Sequence, residues 1–230
     1  MSVDCMVIAS HPDDAEIGMG GTIAALVASG KSVLLVDLTD GEPTPFGSAE
    51  IRATESQAAS AVLGLTQRIN LGLTNRELFD GVESRKRLAE LMREYRPKVL
   101  FTQYWDDAHP DHIQAAALSI ASRFYSKFVK SDMKGEAFYP GKVFYYFSTH
   151  MRVRQEPSFV YDISEYFQKK IEALKCYHSQ FTANPKNQVV FEMLQTENAY
   201  WGMQAGARYG EPFVCKEILK ASNGDIFFNG

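Results

Sequence analysis

The sequence is poor in cysteine, and the few cysteines it has are widely spaced. Its 230 residues contain three, Cys5, Cys176 and Cys215, an odd number with no CxxC pair. This pattern argues against a disulfide framework and against a zinc site built from thiolates. It fits a reducing compartment, and we therefore expect a cytoplasmic protein.

The sequence also lacks long apolar runs and an excess of basic residues. No run of about 18 apolar residues is present, so no segment is predicted to span a membrane. Residues 1–4 show neither the basic start nor the apolar stretch of a secretory signal. With 24 Lys and Arg against 28 Asp and Glu, the net charge of -4 gives no support for nucleic-acid binding.

The N-terminal part of the chain has the pattern of a strand, a helix and a second strand. Short apolar runs at Val3–Ala9 and Ser32–Leu38 predict buried strands. Between them, Ala15–Ser29 predicts a helix that ends at Gly30. Two strands joined by one helix over so short a distance indicate a right-handed βαβ crossover in a parallel sheet.

Helices and strands continue to alternate along the chain. Further helices are predicted over 48–63, 83–95, 113–128, 164–177 and 187–205, and further strands over 68–71, 99–102, 143–148, 159–163 and 213–218. This alternation predicts an α/β fold: a Rossmann-like, doubly wound and mostly parallel sheet with helices on both faces. The one candidate linker, 130–140, is too short for a domain boundary, so we expect residues 1–230 to form a single domain.

Three glycines near the N-terminus invite comparison with a dinucleotide-binding fingerprint. Gly18, Gly20 and Gly21 fall within the predicted first helix, about eight residues later than the turn in which that motif places its glycines. We expect them instead to allow close packing of this helix against the sheet or the neighbouring loops.

Polar residues are concentrated after two of the predicted strands. HPDDAE (11–16) comes directly after the first strand, and DDAHPDH (106–112) follows the strand over 99–102. In an open parallel sheet, ligands bind beyond the carboxyl ends of the strands. Both segments are therefore expected at one functional edge of the sheet.

The residue types in these two segments suit a catalytic metal ion. Catalytic zinc usually has three His or carboxylate ligands and an open position for water, which it makes more acidic. His11 and Asp14, three residues apart across a turn, and His112 at the start of its helix would supply that set. Asp13 would not bind the metal and would be available as the general base that takes a proton from the water. Two histidines and one carboxylate indicate zinc or iron(II) rather than magnesium or calcium.

These segments resemble the signature motifs of the PIG-L/LmbE family of zinc-dependent N-deacetylases. The resemblance runs along most of the chain, through HPDDAEIGMGG (11–21), TDGE (39–42), RATE (52–55), HPDH (109–112), YHSQF (177–181) and YGEPF (209–213). Within the family the sequence is most similar to small bacterial members, including bacillithiol-pathway deacetylases that act on N-acetylglucosaminyl malate. The resemblance implies one PIG-L/LmbE-like deacetylase domain over 1–230.

The resemblance also implies roles for individual residues. His11, Asp14 and His112 match the zinc ligands, with one Zn2+ ion per chain. Asp13 matches the general base. His109 matches the histidine that supports the tetrahedral intermediate and the departing amine.

Other residues are candidates for contacts around this centre. Arg52 falls where relatives place an arginine in the substrate pocket, and Asp40 and Glu42 follow the second strand as candidates for the pocket wall. Asp111 is a candidate to hydrogen-bond the ring of a metal-bound histidine and so hold it in place. The alternative is that Asp111 caps the start of a helix. Ala108 departs from the arginine that several relatives carry at that position.

The expected reaction is hydrolysis of an acetamido sugar to acetate and a free amine. N-acetylglucosaminyl malate, N-acetylglucosamine and diacetylchitobiose all present the same reactive group. Loops 43–48, 150–157 and 182–188 are expected to contact the aglycone but carry no motif that identifies it. The resemblance implies a small-molecule substrate and a homo-oligomer, with a hexamer as one form. The roles of His150 and His178 stay open.

Two other functions and one structural alternative compete with this interpretation. A metal-dependent phosphoesterase would use the same edge, although two-metal phosphoesterases generally need more carboxylate ligands. A non-catalytic sugar- or nucleotide-binding domain of the same fold would be expected to lack Asp13 or a metal ligand, and none is missing. An HPDD segment by itself also fits an ordinary turn and helix cap, with Pro12 at the first helical position.

Overall fold

The computed structural model describes residues 2–148 and 155–220. Its strands are β1 (Cys5–Ala9), β2 (Val33–Thr39), β3 (Gln67–Leu73), β4 (Val99–Gln103), β5 (Lys142–Tyr146), β6 (Phe159–Asp162) and β7 (Gly210–Val214). Its helices are α1 (Asp14–Ala28), α2 (Ala49–Leu63), α3 (Val82–Tyr95), α4 (Pro110–Tyr125), α5 (Phe167–Lys175), α6 (His178–Phe181) and α7 (Val190–Gln204), with a 3-10 helix at Pro185–Asn187. Within these described ranges, no helix combines the length and the apolar character needed to cross a membrane.

The strands form one mixed sheet in the order β3-β2-β1-β4-β5-β7-β6. Neighbours among β1 to β5 pair in parallel, whereas β7 pairs antiparallel with both β5 and β6. The predicted α/β fold with a mostly parallel sheet is confirmed. Because β1 lies between β2 and β4, the winding of the chain reverses between β1 and β4. In such sheets the crevice at the reversal point is where ligands bind.

The central strand β1 is covered on both faces. Cys5, Val7 and Ala9 lie on one side and pack with residues of α1, α2 and α5. Met6 and Ile8 lie on the other side and pack with residues of α3 and α4. A strand buried on both faces has an apolar side chain at every position, which explains the continuous apolar run in its sequence.

Several predicted boundaries differ from the structure by a few residues, and two of these differences have clear local reasons. Helix α4 begins at Pro110 rather than at Ile113, because proline fits the first turn of a helix, where its missing N–H is not needed. The last strand is Gly210–Val214 rather than 213–218. Residues 210–213 of this strand pair with β6, and this pairing outweighs the low strand propensity of Gly210 and Pro212.

Candidate active site

The site lies at the carboxyl ends of the neighbouring strands β1 and β4. Strand β1 leads through Ser10 into the HPDD segment, and α1 begins at Asp14. The backbone N–H and the hydroxyl of Ser10 both donate hydrogen bonds to Gln103 Oε1 at the end of β4, at 2.9 and 2.5 Å. These bonds hold the two strand ends together, so the segments that follow them lie side by side.

His11, Asp14 and His112 converge at this edge. Their donor atoms all lie within 4.8 Å of one another. His11 Nδ1 is 3.1 Å from Asp14 Oδ2, and His112 Nε2 is 3.3 Å from Asp14 Oδ1. In a tetrahedral zinc site with bonds of about 2.0 Å, neighbouring donors are about 3.3 Å apart. The three side chains therefore fit a metal ion with three protein ligands.

The outer ring nitrogen of each histidine is held by a further carboxylate. His11 Nε2 is 3.1 Å from Asp111 Oδ2, and His112 Nδ1 is 3.1 Å from Asp107 Oδ2. Metal-bound histidines commonly have such a partner, which fixes the ring and its tautomer. Although burial opposes the charged form, these carboxylates and Asp14 raise the pKa of His11 to about 9 and that of His112 to about 10. The surrounding negative charge favours a cation at the centre.

A second group of donors overlaps with the first. His11, His109 and Asp111 also place one donor atom each within 4.8 Å of one another. In that group His109 is only half-buried, and Asp111 Oδ2 accepts the backbone N–H of Arg76 at 2.8 Å. The group of His11, Asp14 and His112 is buried throughout and is the better candidate for a metal site.

Asp13 is adjacent to this group without belonging to it. Arg52 Nη2 donates hydrogen bonds to Asp13 Oδ2 at 3.0 Å and to the carbonyl oxygen of Pro12 at 2.6 Å. Burial raises the pKa of Asp13 to about 7; the Arg52 guanidinium opposes this shift and the Asp14 carboxylate adds to it. Such a carboxyl group takes up and releases a proton near neutrality, as a general base must.

The ring of His109 stacks on the ring of His112, with 4.6 Å between the ring centres and 16° between the planes. It also meets the ring of His11 at an angle, with 5.0 Å between centres. Burial lowers the pKa of His109, and the two neighbouring imidazoles lower it further. Once protonated, this histidine therefore gives up its proton more readily than an ordinary histidine.

A cavity of about 520 Å³ opens onto these residues, a size typical of small-molecule sites. Its polar part is formed by His11, Asp13, Asp14, Arg52, His109 and His112. Another part is apolar and is formed by Ile17, Phe181, Val190, Met193 and Leu194. The predicted loops 43–48 and 182–188 contribute Thr44, Lys186 and Asn187. The cavity thus places the candidate metal centre beside room for a larger organic group.

Arg52 lines this cavity, and two of its guanidinium nitrogens make no hydrogen bond within the described part of the chain. Its Nε and Nη1 are buried and make no hydrogen bond with any residue that the structure describes. The Glu42 carboxylate is 3.9 Å from Nη1. Buried donors without an acceptor are costly, so this arginine favours a ligand oxygen or water beside it.

Asp40 and Glu42 lie near Arg52 but outside the lining of the main cavity. Among the described residues that line the main cavity, neither is present. Asp40 borders a smaller cavity of about 150 Å³, which Arg52 also lines. Glu42 accepts the hydroxyl of Thr44 at 2.9 Å. Contact of Asp40 and Glu42 with substrate stays a prediction.

Sequence reasoning assigned no role to Asp107 and Ser148. Ser148 follows β5, and its Oγ is 3.0 Å from His112 Nδ1. Asp107 belongs to the polar segment over 106–112, but its place in that segment does not show which side chain it meets. Asn75 and Arg76, which line the cavity, were also missed. They follow β3, and their position after a parallel strand is the signal that would have found them.

The sequence left the roles of two histidines open, His178 and His150. His178 is exposed at the start of α6. His150 lies outside the described residues.

The sequence and the structure are similar to those of known proteins. The profile of a family described as GlcNAc-PI de-N-acetylase, PIG-L, matches residues 6–122. A diacetylchitobiose deacetylase from Thermococcus kodakarensis is 33% identical over 227 residues, covering 90% of this chain and 80% of the relative. A 1D-myo-inositol 2-acetamido-2-deoxy-alpha-D-glucopyranoside deacetylase from Catenulispora acidiphila is 33% identical over 144 residues, covering 48% of this chain and 47% of the relative.

A solved structure shares nearly the whole fold. The conserved protein TT1542 from Thermus thermophilus superposes with a TM-score of 0.88 and 37% sequence identity. The match covers 96% of this chain and 98% of that chain.

Proposed function

This chain belongs to the PIG-L family of GlcNAc-PI de-N-acetylases, and we propose that it is a metal-dependent hydrolase of an N-acetylglucosamine-containing substrate. The reaction removes the N-acetyl group and releases acetate and a free amine. One observation carries the proposal: a buried His11, Asp14 and His112 group meets Asp13 and His109 at one cavity.

The metal we propose is zinc, one ion per chain, held by His11, Asp14 and His112. Two imidazoles and one carboxylate suit zinc or iron(II) better than the oxygen-preferring magnesium or calcium. When bound, such an ion makes a water molecule more acidic and polarises the acetamide carbonyl. The outer partners Asp111 and Asp107 hold the two rings in place.

In this proposal Asp13 takes the proton from the attacking water. Its carboxylate is beside the ligand group, and Arg52 fixes one of its oxygens at 3.0 Å. Its pKa, raised to about 7 by burial, suits proton transfer at neutral pH. Asp14, the adjacent carboxylate, holds the metal instead.

His109 acts on the carbonyl oxygen and on the leaving amine. As an imidazolium it stabilises the negative charge that develops on the carbonyl oxygen, an effect often worth about 3 kcal/mol per donor. It then donates its proton to the amide nitrogen as the C–N bond breaks. Because burial lowers the pKa of His109, its imidazolium form is a stronger acid for this transfer.

The shared part of the relatives' substrates indicates what the cavity binds. The two relatives compared above are named for substrates that share an N-acetylglucosamine unit and differ in the group attached to it. We propose that Arg52 binds an oxygen of this unit. We propose that Asp40 and Glu42 also contribute to substrate binding. N-acetylglucosamine, diacetylchitobiose and N-acetylglucosaminyl malate, the bacillithiol precursor, are the candidate substrates. The homo-oligomer, with a hexamer as one form, and the cytoplasmic location stay predictions.

A panel of substrates tests the proposal. The purified protein is stripped with a chelator, reloaded with zinc or iron(II), and incubated with the three acetamido sugars while free amine is measured. We expect amine release from at least one sugar, loss of release after stripping, and recovery with the physiological metal. A phosphomonoester serves as the control. Hydrolysis of that ester, with no amine released from any sugar, would favour the phosphoesterase alternative.

A further inference from the structure

Asp107 uses its two carboxylate oxygens for two different contacts at the candidate active site. Oδ2 is 3.1 Å from His112 Nδ1 and accepts the hydroxyl of Ser148 at 2.5 Å. Oδ1 accepts the backbone N–H of His109 at 2.8 Å. The side chain is 1% exposed. One buried carboxylate therefore contacts a candidate metal ligand and the backbone of the candidate proton donor.

The contact with His112 has a consequence for the proton on its ring. A neutral imidazole carries one proton, on Nδ1 or on Nε2, and only the nitrogen without it binds a metal. An ionised carboxylate accepts hydrogen bonds and donates none. Asp107 therefore favours the tautomer in which Nδ1 carries the proton. That tautomer leaves Nε2, the nitrogen that is 3.3 Å from Asp14, available for a metal ion.

We propose that Asp107 is a positioning residue that keeps His112 in its metal-binding tautomer and holds the His109 backbone in place. The inference rests on the proposed function, because it takes His112 as a metal ligand. Ser148 supports the arrangement from the end of β5, since its hydroxyl donates to the same oxygen that faces His112.

Asp107→Asn tests the inference, because an amide cannot reproduce both contacts. If the amide oxygen accepts the His109 N–H, the NH2 group faces His112 Nδ1 and favours a proton on Nε2, the wrong tautomer. If the amide is reversed, the NH2 group faces the His109 N–H, and two donors meet. We expect the zinc dissociation constant, measured by competition with a chromophoric chelator, to rise about 10- to 100-fold.

A spectroscopic measurement separates the tautomer from a general loss of packing. In the zinc-loaded protein, 15N NMR should show the ring proton of His112 on Nδ1 and no proton on Nε2. In zinc-loaded Asp107→Asn, the Nδ1–H signal should shift and exchange faster with water, because no carboxylate accepts that proton. An unchanged Nδ1–H signal together with unchanged zinc affinity overturns the inference.

Asp106→Asn is the matched control, since Asp106 is the adjacent carboxylate and is exposed. It should bind zinc as tightly as the unaltered protein.

His112→Ala separates the inference from the function on which it rests. Retained zinc in His112→Ala would contradict the proposed ligand set. Lost zinc in His112→Ala, with normal binding in Asp107→Asn, would overturn only the role of Asp107.

Ser148→Ala covers the case in which Asp107→Asn does not fold. It removes one hydroxyl that supports Asp107 Oδ2 and leaves the carboxylate in place. We expect a smaller rise in the zinc dissociation constant, of a few-fold. In that case an unchanged affinity in Ser148→Ala contradicts the inference.

Discussion

The backbone at Asp13 has a conformation that few side chains adopt. Its φ of 105° lies in the left-handed region, and the next residue, Asp14, begins α1. Through this turn two adjacent carboxylates have different surroundings. Asp14 lies between the two histidines of the candidate metal group, whereas Asp13 is bound by Arg52. Asparagine tolerates the left-handed region well, so it can replace Asp13 with little change in the turn.

We expect Asp13→Asn to separate chemistry from metal binding. The amide has nearly the size of the carboxylate but cannot accept the proton of water. The turnover number should fall about 10²- to 10⁴-fold, the usual effect of losing a general base. Zinc content, measured by elemental analysis, should stay near one ion per chain, because Asp13 is outside the ligand group. Near-normal turnover in this variant would remove Asp13 from the mechanism.

Helix α1 is interrupted close to the site that it helps to form. Met19, with φ -148° and ψ 24°, departs from helical geometry within it. Just beyond this point, Glu211 of β7 accepts the backbone N–H groups of Gly21 and Thr22 at 3.0 and 2.7 Å. These are N–H groups that the first turn of a helix leaves without a helical partner. The carboxylate therefore caps the second half of α1, while the first half begins at the candidate metal site.

The glycines of α1 fit the close packing that their position predicts. A methyl group on Gly18 would lie 2.7 Å from the carbonyl oxygen of Phe147. On Gly20 it would lie 3.2 Å from Cγ of the flexible Lys170 side chain. A methyl group on Gly18 would also meet the fully buried ring of Tyr146, and neither that ring nor the Phe147 backbone can move away easily.

We expect Gly18→Ala to lower the free energy of unfolding by about 1–3 kcal/mol, the usual cost of overpacking. Gly20→Ala is the matched control and should lose less, since its neighbour can shift and alanine favours the helix. Urea denaturation of both variants gives the comparison. Equal urea midpoints for Gly18→Ala and Gly20→Ala would show that the contact with Phe147 does not restrict the size of the side chain at position 18.

At the scale of the whole molecule, one buried ion pair joins elements from both ends of the chain. Lys170 of α5 donates to Glu211 Oε1 at 2.7 Å, and both side chains are fully buried. The other Glu211 oxygen accepts the hydroxyl and the N–H of Thr22. The pair thus connects β7, α5 and α1.

Removing one member of a buried pair leaves its partner charged and unpaired. We expect Glu211→Gln to destabilise the fold by about 3–5 kcal/mol, measured by urea denaturation. Adding Lys170→Met should restore part of the loss, because no buried charge then remains. The control is Asp132→Asn, which breaks an exposed pair with Lys86 of the same 2.7 Å length and should change the midpoint little. Equal losses in Glu211→Gln and Asp132→Asn would contradict the argument.

Local sequence determined the architecture and the location of the candidate site. The continuous apolar run of β1 and the alternation of helices and strands predict a parallel sheet, because a strand covered on both faces must be apolar throughout. The segments over 11–16 and 106–112 follow two such strands, and the carboxyl ends of parallel strands meet at one edge. The convergence of His11, Asp14 and His112 could therefore be predicted. The single domain over 1–230 stays a prediction.

Only the tertiary structure decided which side chains complete the site. Ser148 reaches His112 from 36 positions away, and Glu211 reaches Gly21 from 190 positions away. Periodicity and motif spacing describe near neighbours in the chain, so they carry no information on such pairs. Asp107 is only five residues from His112, yet the fold of the intervening loop alone brings its carboxylate to Nδ1. The sequence by itself determined the sheet edge and the candidate ligand set, whereas packing between distant elements determined how those ligands are held.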